Sequence, residues 1–323
     1  MLNYPIKFEP ILKEKIWGGN KLKNILNKNS SREDLGESWE ISGVKGDISV
    51  VQNGALKGQT LNALLEKYKD GLLGKKNFKK FGAEFPLLIK FIDAKTELSV
   101  QLHPHDDIAK KRHDSFGKTE MWYIMQADEG AEINVGFKKS ISKEEYLEHL
   151  SSGKITELLN FEKVQKGDSF FINTGKVHAI GAGVLLAEIQ QTSDITYRIY
   201  DWDRVDAEGN SRELHTDLAL DAIDFERKDD FKRGYERVEN QSTNIASCEY
   251  FTTNFLPVKG RVAKDYSQLD SFVIYMCVSG EAEVSVDDNS EKIVQGQTLL
   301  IPAENNEVQI TSEDAELLEV FVE

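Results

Sequence analysis

KGDSFFINTGKVHAI at residues 166–180 and QGQTLLIPAENNEVQI at residues 295–310 share one design. Each opens on a glycine turn, runs through an apolar strand and closes in a polar loop. Gly167 and Gly296 suit the turn because glycine reaches backbone angles closed to other residues. The short apolar runs after them, bounded by turn residues, read as buried strands. A unit of this kind in both halves of a chain points to duplicated β-barrels. The copies differ in one chemically important respect: the first carries His178, and the second has no histidine at the matching place.

Working outward, residues 1–60 hold short apolar or alternating runs (YPIKFEP, KIWGGNKL, GESWEIS) punctuated by Gly and Asn, the pattern of strands and turns. From Thr60 the period changes, with Leu61, Leu64, Leu65 and Tyr68 at helical spacing behind a threonine cap. The lysine-rich GKKNFKKFG reads as a solvated surface segment. FPLLIKFIDA at 85–94 reads as a buried strand with Lys90 in its middle, either a snorkelling edge residue or a charge pointing into a cavity. DDIAKKRHD predicts a short helix, and GKTEMWYIMQAD a strand with Lys118 and Glu120 on one face. SKEEYLEHLSSGKITELLNF predicts an amphipathic helix capped by Ser142, with Glu145 three residues on. A last helical piece is expected around LHTDLALDAIDF.

Residues 228–244 turn polar and charged, like a linker or long edge connection, and the rest of the chain alternates with period two. The expected architecture is mainly β with a few helices. A first domain spans 1–235 and an all-β domain spans 236–323.

The 323 residues are enough for a large core. A net charge of −15 argues against a phosphate-backbone binder, since nucleic-acid affinity rests on clustered Lys and Arg. It leaves room for a small anion in a local basic pocket. Cys248 and Cys277 are too few for a disulfide scaffold, which favours a reducing compartment. MLNYPIKFEP lacks the pattern of a signal peptide, and no apolar run reaches membrane-spanning length. A cytoplasmic protein with no nucleic-acid or membrane partner is expected.

The chemistry centres on QLHPHDD at 101–107. Gln101 and His103 stand two apart at the end of a strand and so share a face. With Glu120 and His178 they supply two nitrogens, a carboxylate and an amide oxygen, a set that suits zinc with a position open to substrate. A neutral amide ligand leaves the metal most of its positive charge, as a Lewis acid needs. His105 competes, because His103 and His105 form an H-x-H pair. Pro104 normally ends a central strand, which ranks Gln101 and His103 above it. His149 reads as a surface residue, and His113 and His215, in charged helix-like segments, as residues without a part in the site.

A second constellation, Glu188, Asp194, Arg198, Asp201 and Arg204, lies downstream of His178. Glu188 on a strand can approach the metal, and Arg198 can bind an anion bidentately or stabilise developing negative charge. Asp201 and Arg204 fit surface ion pairing as well. Trp17 before Gly18-Gly19 reads either as the aromatic wall of a sugar site or as a buried tryptophan beside a tight turn.

QLHPHDD, GKTEMWYI and GDSFFINTGKVHAIGAGVLLAEIQQTSDITYRIYDWDR together resemble the type I mannose-6-phosphate isomerases, in their short bacterial form. The resemblance runs from IWGG to the C-terminal LLIPA strand. GDSFFINTGKVHAIG also follows the second cupin motif, with Asn173 where many cupins have proline. The resemblance implies two cupin-type jelly-roll β-barrels, the second without metal ligands. It implies one Zn2+ per chain on Gln101, His103, Glu120 and His178, active-site roles for Lys90, Lys118, Glu188, Asp194 and Arg198, and Trp17 in the pocket wall. The long helical insertion of eukaryotic members is missing, which implies a more open pocket.

The implied reaction is the reversible aldose–ketose interconversion of mannose 6-phosphate and fructose 6-phosphate through a cis-enediol(ate), a step in mannose metabolism. The expected partner is a small sugar phosphate, the expected assembly a monomer or weak homo-oligomer. Two other readings stay open at this level: an iron-dependent cupin oxygenase, for which the ligands are also acceptable, and a non-catalytic sugar-phosphate-binding cupin.

Overall fold

A computed structural model describes residues 2–205 and 208–323. Its strands in chain order begin with β1 (Ile11–Gly19), β2 (Leu35–Ile41), β3 (Leu87–Ala94), β4 (Val100–Leu102), β5 (Glu120–Ala127) and β6 (Glu132–Phe137). They continue with β7 (Leu159–Lys163), β8 (Ser169–Ile172), β9 (His178–Ile180), β10 (Val184–Gln191) and β11 (Tyr197–Tyr200). The rest are β12 (Thr243–Ser247), β13 (Thr252–Asp265), β14 (Val273–Val286), β15 (Asn289–Val294), β16 (Thr298–Ile301) and β17 (Glu307–Phe321). The helices are α1 (Lys21–Asn24), α2 (Leu61–Tyr68), α3 (Asp70–Leu73), α4 (Lys75–Phe81), α5 (Asp106–His113), α6 (Lys143–Ser151) and α7 (Thr216–Leu220).

Strand β10 explains the layering. Its odd-numbered residues Leu185, Ala187 and Ile189 enter one apolar core, while Val184 and Leu186 enter another, the alternation a pleated strand imposes. It is buried on both faces because a core packs on each side of its six-stranded antiparallel sheet, ordered β1-β2-β3-β10-β5-β8. A five-stranded sheet, β11-β4-β9-β6-β7, packs on its inner face. Trp17, Ile92, Trp122, Ile133, Phe170, Ile180 and Leu186 fill the space between them. The outer face of the second sheet is covered by α6 and α7 through Tyr146 and Ala219.

The third sheet runs β12-β13-β17-β14-β15, with β16 also paired to β14. Its strands of 14 and 15 residues are too long for one flat layer. Register breaks at Val258/Gly260, Cys277/Ser279 and Gly280/Glu283 bend them, as bulges do. Gly280 has φ +71, and a Cβ there would lie 2.1 Å from the Asp314 carbonyl oxygen, so this bend requires glycine. The fold is thus the expected jelly-roll type, with sheets left open along their edges instead of closed into barrels.

Two local expectations need correction. The segment after Ser151 is not a continuation of helix: a 3₁₀ turn at Ile155–Glu157 leads into β7. The lysine-rich GKKNFKKFG exposes its lysines as a surface segment should, but it forms helix α4 and buries Asn77. No helix among the described residues is long and apolar enough to cross a membrane.

Candidate metal centre and active site

Strand pairing brings the candidate ligands together. Gln101 on β4 stands opposite His178 on β9, and Glu120 begins β5 in the facing sheet. His103, Glu120 and His178 are each 1 % exposed and offer ligand atoms within 4.8 Å of one another. Glu120 bridges them, with one oxygen 3.4 Å from His103 Nε2 and the other 3.5 Å from His178 Nε2. Backbone carbonyls orient both rings: His103 Nδ1 donates to Ile195 O and His178 Nδ1 to Lys176 O, each at 2.8 Å. That leaves each Nε2 as a lone-pair donor aimed at the cluster, the arrangement seen in metal-ligating histidines.

The fit to a metal rests on buried polar atoms. His103 Nε2, His178 Nε2 and Glu120 Oε2 are buried and have no hydrogen-bond partner, a costly state unless something else binds them. Burial, then Lys118, pushes His103 down to about 3, and burial lowers His178 as well, so both are neutral near pH 7. Burial alone would raise the Glu120 carboxyl, but Lys118, 3.4 Å away, and the two histidines hold it well below the carboxylate range. Two neutral imidazoles and a carboxylate fit a divalent cation. Gln101 is the more accessible fourth candidate. Its amide oxygen accepts from Ser99 Oγ at 3.2 Å, and it lines the same cavity. His105 is exposed at the start of α5 and stands apart from the cluster.

Above the cluster lies a cavity of about 310 Å³ between the two sheets, bordered by Trp17, Gln101, Trp122 and His178 and rich in charge. Glu188 and Lys90 face each other across β10 and β3, Nζ 3.1 Å from Oε1, and both are almost fully buried. Trp122 Nε1 donates to the other Glu188 oxygen at 2.9 Å. Burial raises the Glu188 carboxyl, with Lys90 pulling the other way. Burial would lower Lys90, but Glu188 and then Glu37 keep it high and charged.

Arg198 on β11 gives its guanidinium to neutral acceptors, Ser99 Oγ at 3.3 Å and Glu213 O at 2.8 Å, so its charge remains free for an anion. Asp194 is exposed at the rim. Trp17 is both wall and core, lining the cavity while packing in the inter-sheet cluster. Asp201 and Arg204 form an ion pair, one of the two readings open for them, but with Asp201 buried and also holding Arg212. His215, to which sequence reasoning assigned no role, touches the site's backbone: its Nδ1 accepts from the Arg198 backbone N–H at 3.1 Å.

Sequence reasoning missed Lys13, Lys15, Glu37, Trp39, Asp47 and Arg212, which also line the cavity. Trp39 Nε1 donates to Glu37 at 2.6 Å, and Lys15 lies 3.4 Å from Glu37. A carboxylate beside tryptophan inside the wholly buried strand GESWEIS was the available signal.

The third sheet holds no such site. The C-terminal stretch from residue 236 contains no histidine. Inside that sheet the buried Glu319 is occupied by Lys264 at 2.8 Å, Asn254 at 2.9 Å and the Tyr266 hydroxyl.

Fold and site together define a cupin-type jelly roll with one buried His–Glu–His cluster under a charged cavity sized for a small polar molecule. The chain belongs to the type I phosphomannose isomerase family. The description "Phosphomannose isomerase type I, catalytic domain" matches residues 6–139, and "Mannose-6-phosphate isomerase, cupin domain" matches residues 241–322. The chain is 36 % identical over 305 residues to mannose-6-phosphate isomerase ManA of Bacillus subtilis, covering 94 % of each. It is 33 % identical to mannose-6-phosphate isomerase of Streptococcus mutans, covering 92 % of each. It also superposes on the crystal structure of the Bacillus subtilis mannose 6-phosphate isomerase with a TM-score of 0.89 at 33 % identity, covering 98 % of this chain and 99 % of that one.

Proposed function

We propose that this chain is a mannose-6-phosphate isomerase, interconverting mannose 6-phosphate and fructose 6-phosphate by moving a proton between C1 and C2 through a cis-enediol(ate). The observation that carries the reading is the buried His103–Glu120–His178 cluster under a charged cavity, in a chain of this family. Gln101, His103, Glu120 and His178 are the residues that would hold one zinc ion, which when bound polarises oxygen atoms of a substrate.

Glu188 is the general base. Burial raises its proton affinity towards the range where a carboxylate both takes and returns a proton near neutral pH. Lys90, 3.1 Å away, balances its charge, and Trp122 holds one of its oxygens in place. Lys118, buried beside Glu120, supplies positive charge and a proton where an oxygen anion develops. Arg198 and the rim residue Asp194 select the phosphate and hydroxyl end of the sugar, and Trp17 forms part of the wall. Residues 1–235 form the catalytic unit and residues 236–323 a degenerate cupin unit without ligands, and the protein works in the cytoplasm as a monomer or weak homo-oligomer.

The test is a coupled assay for fructose 6-phosphate with and without a chelator. Turnover is expected to vanish on chelation and return with zinc in the absence of oxygen. Binding of mannose 6-phosphate without conversion would overturn the reading in favour of a non-catalytic cupin, and a requirement for iron and oxygen in favour of an oxygenase.

A further inference from the structure

Lys118 and Glu120 belong to a stretch whose first part, 117–119, lies outside every strand although it is buried. Its backbone N–H groups therefore need partners from elsewhere. The Gly117 N–H donates to Asp106 Oδ1 at 2.7 Å, and the Thr119 N–H donates to Gln191 Oε1 at 2.8 Å. Gln191 is tied to the same carboxylate, donating from Nε2 to Asp106 Oδ1 at 3.1 Å. The other oxygen, Asp106 Oδ2, accepts from the Tyr250 hydroxyl at 2.7 Å. A Cβ at Gly117 would lie 2.8 Å from Asp106 N and 3.0 Å from its carboxylate, so the close approach is built into the backbone.

Tyr250 comes from the other end of the chain, at the tip of the β12–β13 hairpin of the third sheet. The tip is anchored on both sides: Cys248 N–H donates to Phe251 O at 3.0 Å, and the buried Phe251 ring packs on Phe171 with centroids 6.2 Å apart. Burial and the Asp106 carboxylate push the Tyr250 hydroxyl up, so it stays a donor throughout the neutral range.

We infer that Tyr250 is a positioning residue of the active site. Through Asp106 and Gln191 it fixes the 117–119 backbone, and with it the Lys118 ammonium and the Glu120 carboxylate. Asp106 stands three residues after His103, so one carboxylate ties the His103 strand end to the segment carrying Glu120. The contribution of the C-terminal unit is thus a brace on two members of the His–Glu–His cluster. This rests on the isomerase reading for its kinetic consequence and on the cluster alone for its effect on metal affinity.

Tyr250→Phe keeps the ring and removes only the donor. Loss of one hydrogen bond to a carboxylate is expected to lower kcat about three- to tenfold with KM changed less than about twofold, and to weaken zinc affinity by a similar factor in competition with a chromophoric chelator. Asp106→Asn should show the same pattern, and the double variant should be no worse than Asp106→Asn alone, because both act along one path. If Asp106→Asn does not fold, Gln191→Met takes its place in the cycle. The inference is overturned if Tyr250→Phe lowers only the melting temperature while kcat and zinc affinity keep their wild-type values, or if the two effects multiply. Absence of turnover in the wild type would sink the isomerase reading alone. The zinc affinities of wild type and Tyr250→Phe would then decide the brace.

Discussion

Lys90 and Glu188 are nearly fully buried, and neither could be charged there alone. Removing the cation tests what each does for the other. In Lys90→Met the Glu188 carboxyl keeps its burial but loses its nearest positive charge, so its pKa, already raised, rises further. In the role proposed for it, as a base, Glu188 works only when deprotonated, so activity appears above that pKa and is lost as pH falls through it. The acid limb of kcat/KM is therefore expected to move to higher pH by about one unit, the usual effect of one nearby opposite charge. A pH–rate profile with an unmoved acid limb would remove Glu188 from the role of base. At this scale much was legible. A lysine inside an apolar run offered a cavity as one of two readings, and Lys90 does line one; period-two spacing gave Gln101 and His103 one face, and both meet His178. Lys13, Lys15 and Arg212 were not legible, because nothing in an exposed-looking lysine or arginine tells which loop or bulged strand will turn it towards a cavity. The β1–β2 register breaks at Lys13/Glu14 and Glu14/Gly19 are of that kind.

Where a helix has its own periodicity and cap, its start was read correctly. Thr60 accepts from Ala63 N–H at the start of α2, and Ser142 from Glu145 N–H at the start of α6. Helix α4 was not, because its start signal lies almost two hundred residues away. The Asp270 carboxylate accepts from the backbone N–H groups of Lys75 and Lys76 at 2.7 and 2.9 Å, the work a local cap normally does. Asn77 then fastens the helix to the same region, donating to Val322 O at 3.0 Å and to Ser271 Oγ at 3.3 Å. Asp270→Ala is expected to cost about 1–2 kcal/mol, as loss of an N-cap does. It would appear as a lower urea midpoint with unchanged kcat, since α4 does not line the cavity. An unchanged midpoint would mean that water replaces the cap at no cost.

At the scale of the molecule the two β units share a core, which reading each half by itself does not reveal. Leu61, Leu64 and Leu65 of α2, Leu87, Ile89 and Phe91 of β3, Phe272 just before β14, and Ile274, Met276, Leu318 and Val320 of the third sheet belong to one buried cluster. The N-terminal segment crosses over as well, with Ile6 bridged to Leu300 in β16. Such a cluster exposes apolar surface on both sides if either unit opens alone, so the units should unfold together. The sequence supplies the probe: all four tryptophans, at 17, 39, 122 and 202, lie before residue 236. Tryptophan fluorescence therefore reports the first unit, while far-UV circular dichroism reports both. The two denaturation curves are expected to coincide in urea, and zinc added to metal-free protein should shift both to the same higher midpoint, because a ligand that binds only the native state stabilises whatever unfolds with its site. Residues 236–323 expressed alone should aggregate, since the face bearing Phe272, Ile274, Met276, Leu318 and Val320 would be bare. Two separate transitions, with only the fluorescence curve moved by zinc, would mean that the shared core does not couple the units.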